Sequence, residues 1–261
     1  MMLFNKYGFT YLSYKSQYSY QSLKMFILFR ILDPVMNYLF YAVLVTAIVG
    51  TDYLAFVIIG NIIFYTGNEI MMNFMSMFRT ERRFGTLELN IAAPMSTTLI
   101  ILRKAFIPLM DGLLVFVISL LVGRFLFNIV LPTGQFFNLL LIMAVTLFSI
   151  FCFSLVFASV SLVFSNVNLF LNISTSVLQL LCGAYFSVQI LPDSLETVAR
   201  FLPLTHAIEA LRTVYGYENF ALMPLLWKEC LIGIFYLCVA FILIKVMEKV
   251  ARRNGSLVKE F

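Results

Sequence analysis

Long apolar runs separated by short polar breaks dominate this sequence, and they predict a bundle of membrane-spanning helices. A helix needs about 20 apolar residues to cross a bilayer. Six runs in this chain reach roughly that length, so we predict an all-α, polytopic membrane fold occupying residues 23–261. The six predicted spans lie at about 23–49, 53–77, 104–123, 136–164, 169–188 and 225–246.

Residues 1–22 precede the first apolar run and carry an aromatic stripe at helical spacing. The stripe consists of Phe4, Tyr7, Tyr11, Tyr14 and Tyr18. Tyrosine favours the headgroup zone, so we predict an amphipathic helix lying on the inner membrane surface. Packing of this face against the protein's own cytoplasmic ends is the alternative. The segment lacks the apolar core of a signal peptide, so no cleavage is expected.

Residues 79–98, which we call the charged segment, interrupt the apolar pattern between the second and third runs. Glu81 and Glu88 are seven residues apart, so a helix would place both carboxylates on one face. Ala93 and Pro94 end the element before the next run. We predict a short cytoplasmic helix between two spans. The alternative is a solvated loop whose charges only set the topology.

Two of the runs carry polar residues at helical spacing. The stripe on the second run comprises Asn61, Tyr65, Asn68 and Met72, with Glu69 beside it. The stripe on the fifth run comprises Asn168, Asn172, Thr175 and Gln179. A polar stripe is unfavourable against lipid, so both are expected to face protein or a water-filled path. For the fifth run, hydrogen bonding between helices is the alternative to lining a path.

Charged residues inside the predicted spans are few. Asp33 is expected either to pair with Arg30, three residues before it, or to belong to a gate. Glu69 and Asp111 could support a proton-coupled carrier, which is the rival class of function. Such carriers usually contain internal repeats and broken helices at mid-membrane, and this sequence shows neither pattern.

Residues 190–216, which we call the hairpin, predict two short helices instead of a span. Pro192 breaks the fifth helix and Pro203 separates the two short ones. Asp193 or Ser194 is expected to cap the first helix and Thr205 the second. Their apolar faces comprise Leu195, Val198, Leu202, Ile208 and Leu211. The hairpin is expected to re-enter the outer membrane interface, where protein must cover its backbone.

Composition and charge support a membrane protein and set its orientation. The hydrophobic share of the chain is 62%. Soluble domains have a share of about 45–50%. The net charge of +5 does not indicate nucleic acid, because basic residues collect beside the cytoplasmic leaflet. The six-span order places 14 Lys and Arg residues on one side and 4 on the other, so both termini are expected in the cytoplasm. The smaller group is Arg124, Arg200, Arg212 and Lys228.

Candidate catalytic and metal-binding residues are not found in the sequence. His206 is the single histidine, which excludes a histidine-based metal site, and it is expected to be interfacial. The four cysteines lie in apolar runs without metal-like spacing and are expected to be buried hydrophobic residues. A membrane-bound lipid enzyme would need clustered acids or histidines at one interface. The chain also lacks the G-x-x-x-x-G-K-[ST] loop that binds nucleotide phosphates.

The charged segment and the hairpin carry a family resemblance. The run from Glu81 to Glu88, closing with Ala93-Pro94, resembles the coupling segment between spans two and three of the ABC type-2 permease family. The run from Phe201 to Arg212 resembles the re-entrant helices before span six of the same family. With six spans and an amphipathic start, the likeness covers essentially the whole chain.

The resemblance implies the membrane subunit of a bacterial exporter, located in the cell membrane. Two permease copies, expected to be a homodimer, would flank a pathway lined by spans two and five. Two separate ABC ATPase subunits would bind ATP and Mg, so this chain would not itself be an enzyme or hold a cofactor. The residues implied to dock on the ATPase are Glu81, Arg82, Arg83, Gly85, Thr86, Leu87 and Glu88.

The implied cargo is an amphipathic molecule moved outward from the cytoplasm or inner leaflet. The 28 Phe and 13 Met residues suit drugs, antimicrobial peptides or lipids, because aromatic and thioether surfaces adapt to many shapes. Most of these residues are nevertheless expected to face lipid. Relatives in the family also export lipid-linked polysaccharides, which is the alternative cargo.

Replacing Glu88 with lysine tests the docking role of the charged segment. We expect Glu88→Lys to leave the subunit inserted but to uncouple it from its ATPase, because the charge facing the ATPase reverses. Insertion and ATP-driven transport are the two measurements. Normal transport by the inserted variant would contradict the docking role.

Overall fold

The computed structural model of the chain describes residues 23–83, 97–130, 132–161 and 167–254. Within these ranges the fold is all-α. The predicted N-terminal helix at residues 1–22 lies outside them, as do residues 84–96 of the charged segment.

Eight α-helices make up most of the described chain. They are α1 (Leu23–Ile48), α2 (Leu54–Arg83), α3 (Thr97–Phe127), α4 (Phe136–Ser161), α5 (Val167–Leu181), α6 (Asp193–Phe201), α7 (Thr205–Val214) and α8 (Leu222–Asn254). Single 3-10 turns lie at Thr51–Tyr53, Thr133–Gln135 and Val188–Ile190. Five of the described helices, α1 to α4 and α8, are long and apolar enough to cross a membrane.

The fifth predicted span corresponds to a shorter helix than the sequence indicates. The helix α5 has 15 residues. At a rise of about 1.5 Å per residue this is about 22 Å, less than the hydrocarbon core of roughly 30 Å. The prediction extended this span to residue 188, but a turn follows Leu181, with Gly183 at φ +80°. The structure therefore supports five spans and one shorter apolar helix, and the count of six stays a prediction.

α2 is the central helix of the bundle. Its most apolar stretch is 78% buried, whereas the corresponding stretches of α1 and α8 are 22% buried. α2 packs against α1, α3, α4, α5 and α7. Neighbouring residues Ile58 and Ile59 are both completely buried although they lie on different sides of the helix. α2 is therefore surrounded by protein, while the outer faces of α1 and α8 are left for lipid.

The two ends of α2 lie at opposite ends of the bundle. Its first turns meet the hairpin, and we call this the hairpin end. Its last residue, Arg83, belongs to the charged segment, so we call the opposite side the charged-segment end. α2 has 30 residues and no break. It is therefore about 45 Å long and connects both ends directly.

α7 is buried in the bundle and α6 is not. Pro203 separates these two helices, as predicted, but Pro192 does not end α5 as predicted, because α5 already ends at Leu181 and Pro192 lies at the N-cap of α6. On α7, Ile208 and Leu211 are completely buried. On α6, Leu195 and Val198 stay 42% and 49% exposed, so their apolar face is available to lipid or to another chain. The hairpin thus divides into one core helix and one surface helix.

The predicted helix caps are wrong, and at the start of α7 a side chain from α8 accepts the hydrogen bonds instead. Pro192 and Leu204 occupy the N-cap positions, and neither cap has a side-chain hydrogen bond of its own. The hydroxyl of Thr205 donates instead to the carbonyl of Ala199 at 2.7 Å. The buried carboxylate of Glu229 on α8 accepts hydrogen bonds from the backbone N–H of Leu204 at 2.8 Å and of His206 at 3.2 Å.

The cysteines follow the prediction only in part. Cys152 and Cys182 are buried, Cys230 is half-buried, and Cys238 is exposed. Cys238 lies on α8, one of the helices whose outer face is available to lipid. A thiol is apolar enough to face lipid, so an apolar sequence context does not by itself bury a cysteine.

Candidate functional site

A group of charged and polar side chains joins α1, α2 and α3 inside the predicted membrane region. Nη1 of Arg30 donates to Oε2 of Glu69 at 2.6 Å, and Nη2 of Arg30 donates to Oδ2 of Asp111. Nδ2 of Asn73 also donates to Oδ2 of Asp111, at 2.6 Å. We call these four residues the Arg30 cluster. The side chains of Arg30 and Asp111 are only 13% and 6% exposed.

The Arg30 cluster corrects the predicted pairing of Arg30 with Asp33. Arg30 reaches across to two other helices, while Asp33 is an exposed residue on α1. The same contacts show that Glu69 and Asp111 share a guanidinium. Because both carboxylates are ion-paired with the same guanidinium, this arrangement favours a fixed link between helices over a free proton relay.

The two predicted polar stripes meet at one point. Oγ1 of Thr175 on α5 donates to Oδ1 of Asn68 on α2 at 3.2 Å. This contact supports the alternative in which the α5 stripe forms hydrogen bonds between helices. The structure therefore places α5 beside α2, as a path between them would also require.

The face of α1 that carries Arg30 makes two further polar contacts. Oδ1 of Asn37 accepts from Nδ2 of Asn61 on α2 at 2.8 Å. The hydroxyl of Tyr41 accepts from Nε2 of Gln179 on α5 at 2.6 Å. Residues 30, 37 and 41 are spaced by seven and four positions, so they share one face of α1. α1 is therefore held along its length by polar contacts to α2, α3 and α5.

The remaining stripe residues differ in their surroundings. Tyr65 is 7% exposed, and its ring lies edge-on to that of Tyr38, with centroids 6.1 Å apart. Met72 is half-buried. Asn168 and Asn172 on α5 are exposed at the surface of the chain. Within the predicted α5 stripe, Thr175 and Gln179 thus make contacts inside the chain, while Asn172 lies at its surface.

A cavity of about 630 Å³ lies between α1, the start of α2, and α5. Its lining contains no charged residue. The lining residues are Tyr41, Leu44, Val45, Ile48, Val49, Tyr53, Val57, Ser176, Gln179, Leu180, Tyr185 and Phe186. Leu44 and Leu180 stay 41% and 62% exposed, so the cavity is open at the side. Its volume is within the range of small-molecule sites.

A small polar group contributes to one wall of this cavity. Nε2 of Gln179 lies 2.6 Å from the hydroxyl of Tyr41 and 3.4 Å from that of Tyr185. The rings of Tyr41 and Tyr185 are stacked at a tilt, with centroids 4.5 Å apart. Apolar walls with a few convergent hydroxyl and amide groups are typical of sites that bind an amphiphile.

The predicted ATPase-coupling residues lie partly outside the described chain. The backbone of Glu81, Arg82 and Arg83 forms the last turn of α2. The other members, 85–88, fall between the described ranges. The charged segment therefore begins as a direct continuation of the central helix.

Arg212 anchors the hairpin to the rest of the bundle. It is 1% exposed, and its guanidinium donates to the carbonyl of Phe56 at 3.3 Å and to that of Ala184 at 2.9 Å. The guanidinium carbon lies 3.5 Å from the centre of the Phe56 ring, a cation–π distance. Burial lowers the pKa of Arg212 to about 10, so it stays charged at neutral pH. Gly60 lies against Nη2 of this guanidinium.

His206 is buried, which corrects its predicted interfacial position. It is 3% exposed, and its Nδ1 lies 3.2 Å from Oε2 of Glu209. Among the described residues, no group of His, Cys, Asp and Glu side chains is arranged to hold a metal ion.

Three residues that form polar contacts between helices were not predicted from the sequence: Asn37, Tyr41 and Glu229. Asn37 and Tyr41 share the Arg30 face of α1, so the spacing of polar residues along that run was the available signal. Glu229 is a lone acid inside an apolar run, and an intramembrane charge is a sign of a partner elsewhere.

Comparison with known families gives one match over most of the chain. The family described as ABC-2 type transporter matches residues 9–215. This range runs from the predicted N-terminal helix to the end of α7, and it includes the Arg30 cluster and all but the last residue of the hairpin. No curated protein matches the chain.

Gly60 tests whether the anchor of the hairpin depends on close approach. A Cβ at this position would collide with the carbonyl oxygen of Ala184 and with Nη2 of Arg212. We expect Gly60→Ala to lower the free energy of unfolding by about 1–3 kcal/mol, the usual cost of overpacking. Thermal unfolding in detergent measures it. Gly134→Ala is the matched control, because no heavy atom lies within 4 Å of its Cβ position, and equal effects in both variants would contradict the anchor.

Proposed function

We infer the function from one premise: the chain belongs to the ABC-2 type transporter family and is the permease component of an ABC transporter. We propose that it is the membrane subunit of an ATP-driven exporter that moves an amphipathic molecule from the cytoplasm or inner leaflet outward. The ATPase activity is assigned to a separate partner subunit that binds ATP and Mg.

The cavity between α1, α2 and α5 is the observation that carries the cargo assignment. Its lining is free of charge, which favours the apolar part of a ligand and disfavours a charged headgroup. Gln179, Tyr41 and Tyr185 offer hydrogen-bonding groups to an uncharged polar group on the same ligand. An amphiphile meets both requirements. The opening at the side of the chain gives such a molecule an exit to the lipid.

The exposed polar face of α5 supports a homodimer. Asn172 is exposed on this apolar helix. Amide groups facing hydrocarbon are unfavourable, whereas amides between two helices form hydrogen bonds. A second copy of the chain, related by a two-fold axis beside α5, would cover this face. It would also widen the path begun by Asn68 and Thr175.

α2 provides the mechanical link between ATPase and cargo in this proposal. The charged segment docks on the ATPase through the side chains from Glu81 to Glu88. Movement of that segment is passed to α2, because the helix runs unbroken from Leu54 to Arg83. The Arg30 cluster then transfers the movement to α1 and α3. At the hairpin end, Phe56 and Gly60 on α2 pass it to Arg212.

The rival function of a proton-coupled carrier is disfavoured by the contacts of its candidate acids. Glu69 and Asp111 are both ion-paired with Arg30. A carboxylate that cycles a proton would have to break that pair in each turnover. Export of a lipid-linked polysaccharide remains the alternative cargo and is an outcome of the experiment below.

The reconstituted complex with its ATPase tests the exporter and its cargo. We expect drugs, amphipathic peptides or lipids to stimulate ATP hydrolysis in a panel that also contains lipid-linked glycans. Leu44→Trp fills the cavity, so the half-maximal stimulating concentration is expected to rise tenfold, which is about 1.4 kcal/mol of binding. Val43→Trp is the matched control, because residue 43 is the exposed neighbour outside the lining.

Three results would contradict this proposal. Stimulation of ATP hydrolysis by the lipid-linked glycans alone would show that the cargo is a polysaccharide carrier lipid and not a drug, peptide or simple lipid. An equal effect of Leu44→Trp and Val43→Trp would show that the cavity is not the binding site for the cargo. Transport driven by a proton gradient, with no ATPase attached, would overturn the ABC exporter itself.

A further inference from the structure

An exposed carboxylate lies on α1 inside the predicted membrane region. Asp33 belongs to the apolar stretch 28–48, which is long enough to cross a membrane. It is exposed, and within the described part of the chain it forms neither an ion pair nor a hydrogen bond. A charged side chain at membrane depth is unfavourable without a partner, so an unpaired acid at this position indicates a ligand.

The contacts between α1 and α2 fix the surroundings of Asp33. Arg30 pairs with Glu69, and Asn37 pairs with Asn61, so the two helices run antiparallel. Asp33 is three residues after the first of these pairs and four residues before the second. Because one helical turn is 3.6 residues, Asp33 lies about one turn from each pair.

The amide of Asn61 contributes a second unpaired group near Asp33. Asn61 is completely buried, and its Nδ2 donates to Oδ1 of Asn37. Its own Oδ1 accepts no hydrogen bond from the described residues, which is unfavourable for a buried acceptor. Tyr65, one turn along α2 from Asn61, is within electrostatic range of Asp33. The carboxylate and this amide therefore border the same stretch of the boundary between α1 and α2.

Asp33 and the cavity share one side of α1. Leu44 lines the open side of the cavity and lies eleven residues beyond Asp33, about three turns, so the two residues are on one face. Tyr41, at the polar wall of the cavity, is eight residues from Asp33, which is about 12 Å along the helix axis. A molecule with its apolar part in the cavity is therefore able to reach Asp33 with a polar end.

The charge around Asp33 favours a cation as that polar end. The Arg30 cluster contains two carboxylates and one guanidinium, and both carboxylates are paired with this guanidinium. Asp33 adds a third carboxylate at the next turn of α1. The cluster and Asp33 together therefore carry more negative than positive charge, and such an excess attracts a cation most strongly where water is scarce.

We propose that Asp33 and Oδ1 of Asn61 bind the ammonium group of a cationic amphiphile whose apolar part occupies the cavity. The carboxylate supplies the counter-charge, and the amide oxygen accepts one N–H of the ammonium group. This assignment rests on the proposed export of an amphiphile and narrows the cargo to a cation with N–H donors. An anionic or uncharged amphiphile would leave the charge of Asp33 without a partner.

Equilibrium binding to the full-length chain in lipid nanodiscs tests the site without the ATPase. The probes are radiolabelled dodecylamine, which like a lysine side chain is charged at neutral pH, and its uncharged analogue dodecanol. Binding to empty nanodiscs is subtracted for each probe. We expect the wild type to bind dodecylamine about tenfold or more tightly than dodecanol, because the ammonium group gains a counter-charge in a poorly screened position.

A third probe tests the role of Asn61. Dodecyltrimethylammonium carries the charge but has no N–H to donate. Its affinity is expected to lie between those of dodecylamine and dodecanol, because it retains the pairing with Asp33 and loses the hydrogen bond to Oδ1. Equal affinity for the two cations would exclude Asn61 from the site.

Substitutions of Asp33 decide the assignment. Asp33→Asn is expected to weaken dodecylamine binding about tenfold or more and to leave dodecanol binding unchanged, whereas Asp33→Glu should keep the preference for the cation. Asp193→Asn, at an exposed acid on α6, is the matched control and should behave like the wild type. A wild-type chain without preference for dodecylamine overturns the site even if Asp33→Asn does not fold. An Asp33→Asn variant that keeps the full preference overturns it as well.

The cation site and the exporter fail separately. Binding of dodecylamine that depends on Asp33, without stimulation of ATP hydrolysis in the reconstituted complex, would support the site and contradict the exporter. Equal stimulation by dodecylamine and dodecanol, with no preference in binding, would support the exporter and contradict the cation site.

Discussion

Polar side chains inside a bilayer need partners within the protein, and this constraint shapes the whole bundle. Many of these partners are supplied by residues of α2. The ion pairs of Arg30 with Glu69 and Asp111 tie α1 and α3 to it, and the bond from Thr175 to Asn68 adds α5. Each contact removes a polar group from lipid and also fixes the position of a helix. The same residues that satisfy solvation therefore decide which helices are neighbours.

In the proposed exporter, this arrangement would allow a chain without an ATP-binding loop to respond to its ATPase. α2 begins beside the hairpin and ends in the charged segment. Arg212 attaches the hairpin to its first turns, and the Arg30 cluster attaches its second half to α1 and α3. The cavity lies between α1, the start of α2, and α5. A displacement of α2 would alter this cavity directly, which is the basis of the proposed exporter.

Much of this fold could be predicted from the sequence, because apolar runs and prolines are local signals. The five long spans and the break of the hairpin at Pro192 and Pro203 follow from them. The tertiary partners of individual side chains cannot be predicted from such local signals. Arg30 lies near Asp33 in sequence but pairs with Glu69 and Asp111, and Thr205 yields its capping role to Glu229, because side chains from other helices reach these places. Apolarity likewise does not set helix length, so α5 ends before its predicted limit.

A charge-neutralisation series on the Arg30 cluster tests the central claim most directly. Removing one partner of a buried ion pair costs about 3–5 kcal/mol, whereas neutral replacement of all partners is often tolerated. Thermal unfolding in nanodiscs should therefore show Arg30→Gln strongly destabilised and the triple variant Arg30→Gln, Glu69→Gln, Asp111→Asn restored close to the wild type. Arg124→Gln, at an exposed position on α3, should have little effect. A wild-type-like Arg30→Gln, or a triple variant no more stable than Arg30→Gln, would contradict the account.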